Sequence, residues 1–257
     1  MKKDNSLRIF ETHVHFNSQK FSSNYERLVS LESNFHYLNV ATSLSESKEV
    51  VKQSKKFKQM YCAIGVHPTY IKEESSSLEE VISELETLII QNKDKVLVIG
   101  EIGLDFYKES KEESYEQQIK WLEAQIQLSR KHNLSSTLHI RNAMDEAIEF
   151  LKKQPNFYGI IHSFDGTKEN LRELLKLSKD CFISFSPLIF RDIEWFKELI
   201  SETPLDRLLV ESDSPYLALG SSICRTILRV ISEIKNVELS EIKKIVFNNS
   251  KRALKIT

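Results

Sequence analysis

The sequence predicts an α/β fold, a single-domain (β/α)8 TIM barrel, from three observations. Eight short apolar segments rich in β-branched residues alternate with longer segments of helical periodicity. Most of the short segments are apolar on both faces, which is typical of strands in a parallel sheet that helices cover. The length of 257 residues is close to the roughly 250 residues of such a barrel.

The eight predicted strands occupy residues 7–12, 36–42, 60–66, 95–101, 135–140, 158–163, 181–186 and 207–212. Helices are predicted at residues 23–33, 46–57, 78–89, 113–132, 143–153, 168–178, 191–202, 223–235 and 239–254. The clearest helix is 78–89, whose apolar side chains share one face and whose start carries a capping box of Ser77 and Glu80. No linker, repeat or low-complexity tract interrupts the pattern, so one domain is expected over residues 1–257.

Composition restricts the classes of function. The formal net charge of −1 argues against a histone-like grip on nucleic acid, although a local basic patch or bound cations would still receive phosphates. Cys62, Cys181 and Cys224 are far apart and form no C-x-x-C pair, which excludes a zinc knuckle and a disulfide framework. No stretch approaches the ~18 apolar residues of a membrane span. We expect a cytoplasmic monomer without an obligate protein partner.

Histidines mark the predicted site. His13 and His15 flank one residue at the end of the first strand, and residues two apart on a strand point to one face. The same parity places Glu11 with them, His139 with Arg141, and Glu211 with Asp213. Of the seven histidines, five lie at predicted strand C-termini, and the other two, His36 and His132, are interpreted as structural or solvent-facing. The five are His13, His15, His67, His139 and His162.

In a barrel, the C-terminal strand ends form one rim, so these side chains are expected to meet there. Buried imidazoles and carboxylates are costly unless a cation or hydrogen bonds compensate them. Four imidazoles and two carboxylates exceed what one tetrahedral ion needs, which predicts two divalent ions ~3.5–4 Å apart with Glu101 as the bridge. The predicted metal ligands are His13, His15 and Asp213 around one ion, and His139 and His162 around the other.

Mixed nitrogen and oxygen donors are compatible with Zn, Mn, Fe, Co or Mg, and the pattern does not choose among these ions. The alternative interpretation is a structural polar network without an ion.

Six segments in chain order resemble the motifs of the TatD family of metal-dependent deoxyribonucleases, which are amidohydrolase-like barrels. In the first half of the chain, ETHVH at 11–15 resembles D-x-H-x-H, GVHP at 65–68 resembles G-x-H-P, and GEIGLDFY at 100–107 resembles G-E-x-G-L-D-Y. Further on, HIRNA at 139–143 resembles H-x-R-x-A, HSFDG at 162–166 resembles H-x-F-x-G, and ESDSPYL at 211–217 resembles E-T-D-x-P-Y-L.

The resemblance implies a divalent-metal-dependent phosphodiesterase acting on DNA, often from the 3′ end, with single strands or 3′ ends as substrate. Glu101, in place of a carbamylated lysine, favours this branch of the amidohydrolase-like barrels. Two departures stand out. Glu11 replaces the leading Asp of the family, and residues 218–225 run into a helix where the family carries a basic R-G-K-x-N-x-P stretch. The second departure does not affect the predicted metal ligands, but it removes basic residues that would bind a polynucleotide, so the substrate class is less certain.

The predicted catalytic residues are Asp213, Glu101 and His67. Asp213 is the candidate general base, with a bridging hydroxide as the alternative, and His67 would contact the scissile group or the leaving oxygen. For the substrate, Arg141 would hold a phosphate oxygen or pair with a rim carboxylate. Tyr107 and Tyr216 would stack on a base or pack internally.

Two other functions stay open. One is a metal-dependent hydrolase of amides, esters or lactones on the same barrel, and the other is a catalytically silent binding protein. The chain has no G-x-S-x-G, G-x-x-x-x-G-K-[ST] or G-x-G-x-x-G motif. Serine-hydrolase, P-loop and dinucleotide-binding functions therefore lack support.

Overall fold

The computed structural model describes residues 8–21, 24–154 and 156–256. Within these residues the chain forms eight strands, all paired in parallel and in sequential order β1 to β8. An isolated parallel bridge between Val14 and Ser214 joins the end of β1 to the segment after β8 and nearly closes the barrel. The strands are β1 (Ile9–Val14), β2 (Phe35–Val40), β3 (Met60–Ile64), β4 (Val96–Asp105), β5 (Ser135–Arg141), β6 (Gly159–Ile161), β7 (Cys181–Phe185) and β8 (Leu208–Val210).

Helices alternate with these strands, which confirms the predicted (β/α)8 fold. In the described ranges they are α1 (Tyr25–Leu31), α2 (Leu44–Lys55), α3 (Leu78–Gln91), α4 (Lys111–Lys131), α5 (Met144–Lys152), α6 (Lys168–Leu177), α7 (Ile193–Glu202), α8 (Ile223–Lys235) and α9 (Leu239–Ala253). The Ser77–Glu80 capping box starts α3 as predicted. Three short 3₁₀ helices in the described residues were not predicted. They lie after β3 at Pro68–Glu73, after β7 at Pro187–Phe190 and before β8 at Leu205–Arg207.

Some predicted bounds lie outside the described residues: Leu7 at the start of the first strand, Ser23 at the start of the first helix, and the termini 1–7 and 257 of the expected domain. No helix in the described ranges combines the length and apolarity that crossing a membrane requires.

Two apolar layers hold the barrel. The larger layer lies between the sheet and the surrounding helices, and the smaller one fills the interior with side chains such as Phe10, Leu38, Val98 and Phe182. The end of α9, with Leu254, packs against the interior layer. Because the interior is filled, the barrel offers no channel, and polar side chains gather above this plug at the C-terminal rim.

Strand β4 is longer than predicted, because it continues from Val96 past Glu101 to Asp105. Glycines and acidic residues in this segment are poor strand formers, so the sequence pattern indicated an earlier end. Gly103 shows why glycine is needed here: its φ is +147°, and a Cβ would lie 1.8 Å from the carbonyl oxygen of His139. The extension pairs β4 with the end of β5 and places Glu101 inside the barrel mouth.

The predicted parity fails at Glu11. The β1–β2 register shifts between Glu11 and Val14, so the side chain of Glu11 does not share the face of His13 and His15. It instead contacts Cys224 of α8, with 3.2 Å between Glu11 Oε2 and Cys224 Sγ.

Candidate metal centre

Glu101 lies at the centre of the barrel mouth and is surrounded by all five predicted histidines. Its nearest neighbour is His139, whose Nδ1 is 2.9 Å from Glu101 Oε1. The other four imidazoles contribute their Nε2 atoms at slightly longer range. The distances to a Glu101 carboxylate oxygen are 3.4 Å for His13, 3.7 Å for His15, 3.6 Å for His67 and 3.6 Å for His162.

Three groups of side chains bring their ligand atoms within 4.8 Å of one another: His13 with His15 and Asp213, His13 with Glu101 and His162, and His67 with Glu101 and His139. The first group is the predicted ligand set of one ion. The other two groups share Glu101, as expected for a bridging carboxylate. They differ from the predicted pairing because His13 lies with His162 and His67 lies with His139.

The outer nitrogens of three imidazoles face fixed acceptors. His15 Nδ1 is 2.9 Å from the carbonyl oxygen of Val40, and His139 Nε2 is 3.0 Å from Asp105 Oδ2. His162 Nδ1 contacts Glu211 Oε1 at 2.7 Å. A carbonyl or carboxylate oxygen only accepts, so the neutral imidazole carries its proton on the outer nitrogen. The carboxylates around the site overcome burial and raise the pKa of His15, His139 and His162, so a binding cation would displace a proton from each inner nitrogen before it takes the lone pair.

His13 and His15 lie unusually close together. Their Nε2 atoms are 3.1 Å apart, and both atoms face Glu101. Burial, together with the nearby His162, lowers the pKa of His13, and its buried Nδ1 makes no hydrogen bond to any described residue. Two imidazole nitrogens and a carboxylate converge here, and burying such a group is costly without a compensating cation or proton. The donor set therefore fits a divalent cation.

The carboxylates of the site favour their charged forms. Burial alone would raise the pKa of Glu101, but the imidazoles of His67 and His13 outweigh burial and hold this pKa well below its usual value. Burial also raises the pKa of Asp213, but the hydrogen bond that Asp213 accepts from His15 outweighs burial, so the pKa of Asp213 is lowered. Asp213 Oδ1 lies 3.4 Å from His15 Nε2, on a residue in the left-handed region with φ of 47°.

His67 differs from the other four histidines. Its Nδ1 accepts the backbone N–H of Thr69 at 3.2 Å, so the proton of the neutral ring lies on Nε2. Nε2 faces Glu101 and the cavity. Burial, with His139 nearby, lowers the pKa of His67 to about 3, which keeps the ring neutral. His67 thus presents a hydrogen-bond donor to the cavity instead of a lone pair.

A cavity of about 540 Å³ opens above these groups. Arg141 lines it and stacks on Tyr107, with the guanidinium carbon 3.6 Å from the ring centroid. Arg141 makes no ion pair with a described residue, but its charge acts on the nearby carboxyl of Asp165, whose pKa is raised by burial. Holding a phosphate oxygen and pairing with a rim carboxylate both stay predictions for Arg141. Tyr107 is 61% exposed and Tyr216 is 59% exposed, so internal packing is wrong for both. One face of Tyr107 is nevertheless taken by Arg141.

Four cavity or supporting residues were not given roles from sequence. Asp105 and Glu211 face the outer nitrogens of His139 and His162. Both stand in the motifs at 100–107 and 211–217, and these motifs, with the parity of Glu211 and Asp213, were the available signals. Lys108 and Arg191 line the cavity from loops without any distinguishing sequence pattern.

The remaining two histidines lie away from the site, as predicted. His36 packs edge-on against Phe247 with ring centroids 5.2 Å apart, and His132 Nε2 contacts Glu86 Oε1 at 2.7 Å.

Known proteins resemble this chain along most of its length. The family model described as TatD related DNase matches residues 10–255. An uncharacterized metal-dependent hydrolase of Bacillus subtilis, YabD, is 27% identical over 96% of this chain and 99% of its own length. A putative deoxyribonuclease TATDN1 homolog of Enterocytozoon bieneusi is 32% identical over 72% of this chain and 66% of its own length. The crystal structure of YjjV, a TatD homolog from Escherichia coli, superposes with a TM-score of 0.86 at 23% identity and covers 98% of this chain and 99% of that one.

Proposed function

Because the chain belongs to the TatD related DNase family and is a metal-dependent hydrolase of that family, we propose that it is a deoxyribonuclease that cleaves phosphodiester bonds from the 3′ ends of DNA. The observation that carries this proposal is the ring of five imidazoles around Glu101. The outer nitrogens of His15 and His139 are hydrogen-bonded, and that of His162 lies 2.7 Å from the Glu211 carboxylate. Such a centre, open to a cavity of about 540 Å³, suits hydrolysis of a charged ester.

We propose two divalent ions in this centre. His13, His15 and Asp213, which lie together in the structure, would hold one ion. His139 and His162, which both face Glu101 Oε1, would hold the other, with Glu101 shared between the two ions. Divalent ions bound there would lower the pKa of a water molecule toward ~7 and offset negative charge on the phosphoryl group. Zn, Mg and Mn all accept this donor set of nitrogen and oxygen atoms.

Side chains of the chain itself then perform the remaining steps. Asp213 is ionised and faces the cavity, so it accepts the proton of the attacking water as general base. His67 donates a hydrogen bond from Nε2 to the departing oxygen and keeps its proton, because Thr69 holds its other nitrogen as an acceptor. The departing oxygen takes its proton from solvent. Arg141, held flat on Tyr107, binds a phosphate oxygen with its free guanidinium edge.

Support for DNA as the substrate comes from two sources. One relative carries the name putative deoxyribonuclease, and Tyr216 stands exposed at the mouth with its ring 5.1 Å from that of His15, where a base can stack on it. Residues 218–222 occupy the place of the family's basic stretch but contain no basic residue. This segment therefore provides no charged contact to a phosphate.

End-labelled single- and double-stranded DNA tests the proposal, with purified protein and a panel of Mg, Mn and Zn. We expect release of nucleotides from the 3′ end, loss of activity with a chelator, and no activity of Glu101→Gln. Parallel assays with amide, ester and lactone substrates provide the contrast. Metal-dependent hydrolysis of one of those, without any cleavage of DNA, would assign the site to the alternative class.

A further inference from the structure

Three cationic side chains line the cavity and form no ion pair with a described residue: Lys108, Arg141 and Arg191. Two other lysines near this rim are paired, since Lys72 Nζ lies 2.8 Å from Glu109 Oε2 and Lys111 Nζ lies 2.6 Å from Glu146 Oε1. Asp165 shares the cavity, and the charge of Arg141 acts on it. The three cations outnumber this one carboxylate, so net positive charge is available for a ligand.

These cations share one side of the mouth. Lys108 follows β4, Arg141 ends β5, and Arg191 follows the 3₁₀ helix after β7. Neighbouring strands lie ~4.8 Å apart, so three spacings from β4 to β7 cover roughly 14 Å of the rim. A nucleic-acid strand presents successive phosphates that can follow such an arc, whereas one small anion would contact a part of it.

The other side of the mouth lacks such charges. After β8, residues 218–222 are uncharged, and Leu219 projects into solvent with 92% of its surface exposed. The carboxylates that line the cavity lie deeper, in and beside the candidate metal centre, apart from Asp165. Among the described residues that line the cavity, the cations therefore lie over β4 to β7, where they would attract an extended polyanion that leaves the candidate metal centre.

We infer that Lys108, Arg141 and Arg191 form an outer phosphate subsite, which binds the backbone of a single strand beyond the bond that is cleaved. The inference rests on the proposed nuclease function and deepens it. The contacts to the bound strand lie over β4 to β7. A strand of several nucleotides reaches these contacts and is therefore a better substrate than a small diester. Arg141 is already oriented by Tyr107, while Lys108 and Arg191 contribute charge.

Kinetics with oligothymidylates of two to twelve nucleotides and with bis(p-nitrophenyl) phosphate test the inference. For the wild type, kcat/KM is expected to rise with strand length. Lys108→Gln and Arg191→Gln are expected to raise KM for the twelve-nucleotide strand about fivefold each, with a smaller loss on the diester. Each variant should also reduce the slope of log KM against log salt by about 0.7.

Matched controls remove the same charge elsewhere. Lys93→Gln changes an exposed lysine before β4, at the opposite end of the barrel, and Arg229→Gln changes an exposed arginine in the middle of α8. Both controls should behave as the wild type. Arg191→Lys keeps the charge and should restore most of the affinity for the long strand.

The outcomes separate the two levels of the proposal. Cleavage of DNA and the diester by the wild type, with Lys108→Gln and Arg191→Gln indistinguishable from the controls, would overturn the subsite and leave the nuclease function standing. Failure of the wild type to cleave either phosphodiester with any ion would refute the nuclease function and the subsite with it.

Discussion

The two ends of the barrel place histidines in opposite environments. At the N-terminal end, His36 lies against Phe10 and Phe247, with Arg8 and Lys251 as the nearby charges. At the C-terminal end, His139 lies between Asp105 and Glu101. Burial lowers the pKa of His36 to about 4, whereas the two carboxylates overcome burial and raise the pKa of His139 to about 9.

This contrast shows that burial alone does not make a histidine a cation ligand. Negative charge that faces the inner nitrogen favours a cation there, and an acceptor behind the outer nitrogen orients the ring; the proposed ligand His13 has the first of these. His139 has both, and His36 has neither, since its Nδ1 makes no hydrogen bond to a described residue. Four substitutions test the contrast, from the largest expected effect to the smallest.

Glu101→Gln is expected to remove the negative charge on which the contrast depends. Without it, five imidazoles face one another, and the site should lose bound metal together with at least about 1000-fold in turnover. Metal content by elemental analysis and hydrolysis rates check the result, while circular dichroism confirms the fold. Normal ion content with near-normal turnover would contradict the central role of Glu101.

Asp213→Asn tests the general base while it keeps the size of the side chain. We expect kcat to fall about 100- to 10,000-fold with the fold intact, because the amide cannot accept the proton of water. Single-turnover rates over a range of pH measure the effect. Near-normal hydrolysis by this variant would favour a bridging hydroxide that needs no separate base.

Asp105→Asn changes the acceptor behind His139 and leaves the side chains around Glu101 unchanged. The loss of a charged partner should weaken divalent-ion affinity about 10- to 100-fold. Titration of activity with Mn or Mg measures the apparent affinity, and Asp94→Asn, an exposed change at the other end of the barrel, is the control. Equal affinities in the two variants would show that Asp105 does not orient His139.

His36→Asn tests the apolar end through pH. The folded-state pKa of His36 is about 4, below the value of 6.5 for an exposed histidine, so the unfolded chain binds the extra proton first. The neutral ring therefore stabilises the fold above pH ~6.5, and this contribution disappears as the pH falls toward ~4.

Urea unfolding at pH 7.5 and 4.5 measures this effect in the wild type and in His36→Asn. The wild type should lose about 1–2 kcal/mol more than the variant between the two pH values, less than the full linkage value because the ring keeps partial contact with water. Equal losses would mean that His36 is not desolvated by Phe10 and Phe247.

Much of the site was predictable, because period-two strands and a closed barrel bring strand ends together whatever their separation in sequence. His13 and Asp213, 200 positions apart, meet on that basis, and the backbone N–H of Asp213 donates to the carbonyl oxygen of His13 at 3.0 Å. Glu11 was placed wrongly because a register shift in β1 reverses the face on which a side chain lies.

The role of His67 was only partly predictable. Its place at the end of β3 was readable from sequence, but the direction of its proton depends on the turn into the following 3₁₀ helix, where the backbone N–H of Thr69 reaches Nδ1. Sequence patterns carry no information on such a contact, since the same residues in another turn would leave Nδ1 free.

By itself, the sequence determined the barrel, the rim and the identity of the side chains that gather there, since these follow from periodicity and strand order. Only the tertiary structure decided which nitrogen of each imidazole faces Glu101, that β4 continues to Asp105, and that Lys108 and Arg191 share a cavity with Arg141. Those features depend on register, turn geometry and long-range contacts of a few ångströms, and no local pattern of residues specifies them.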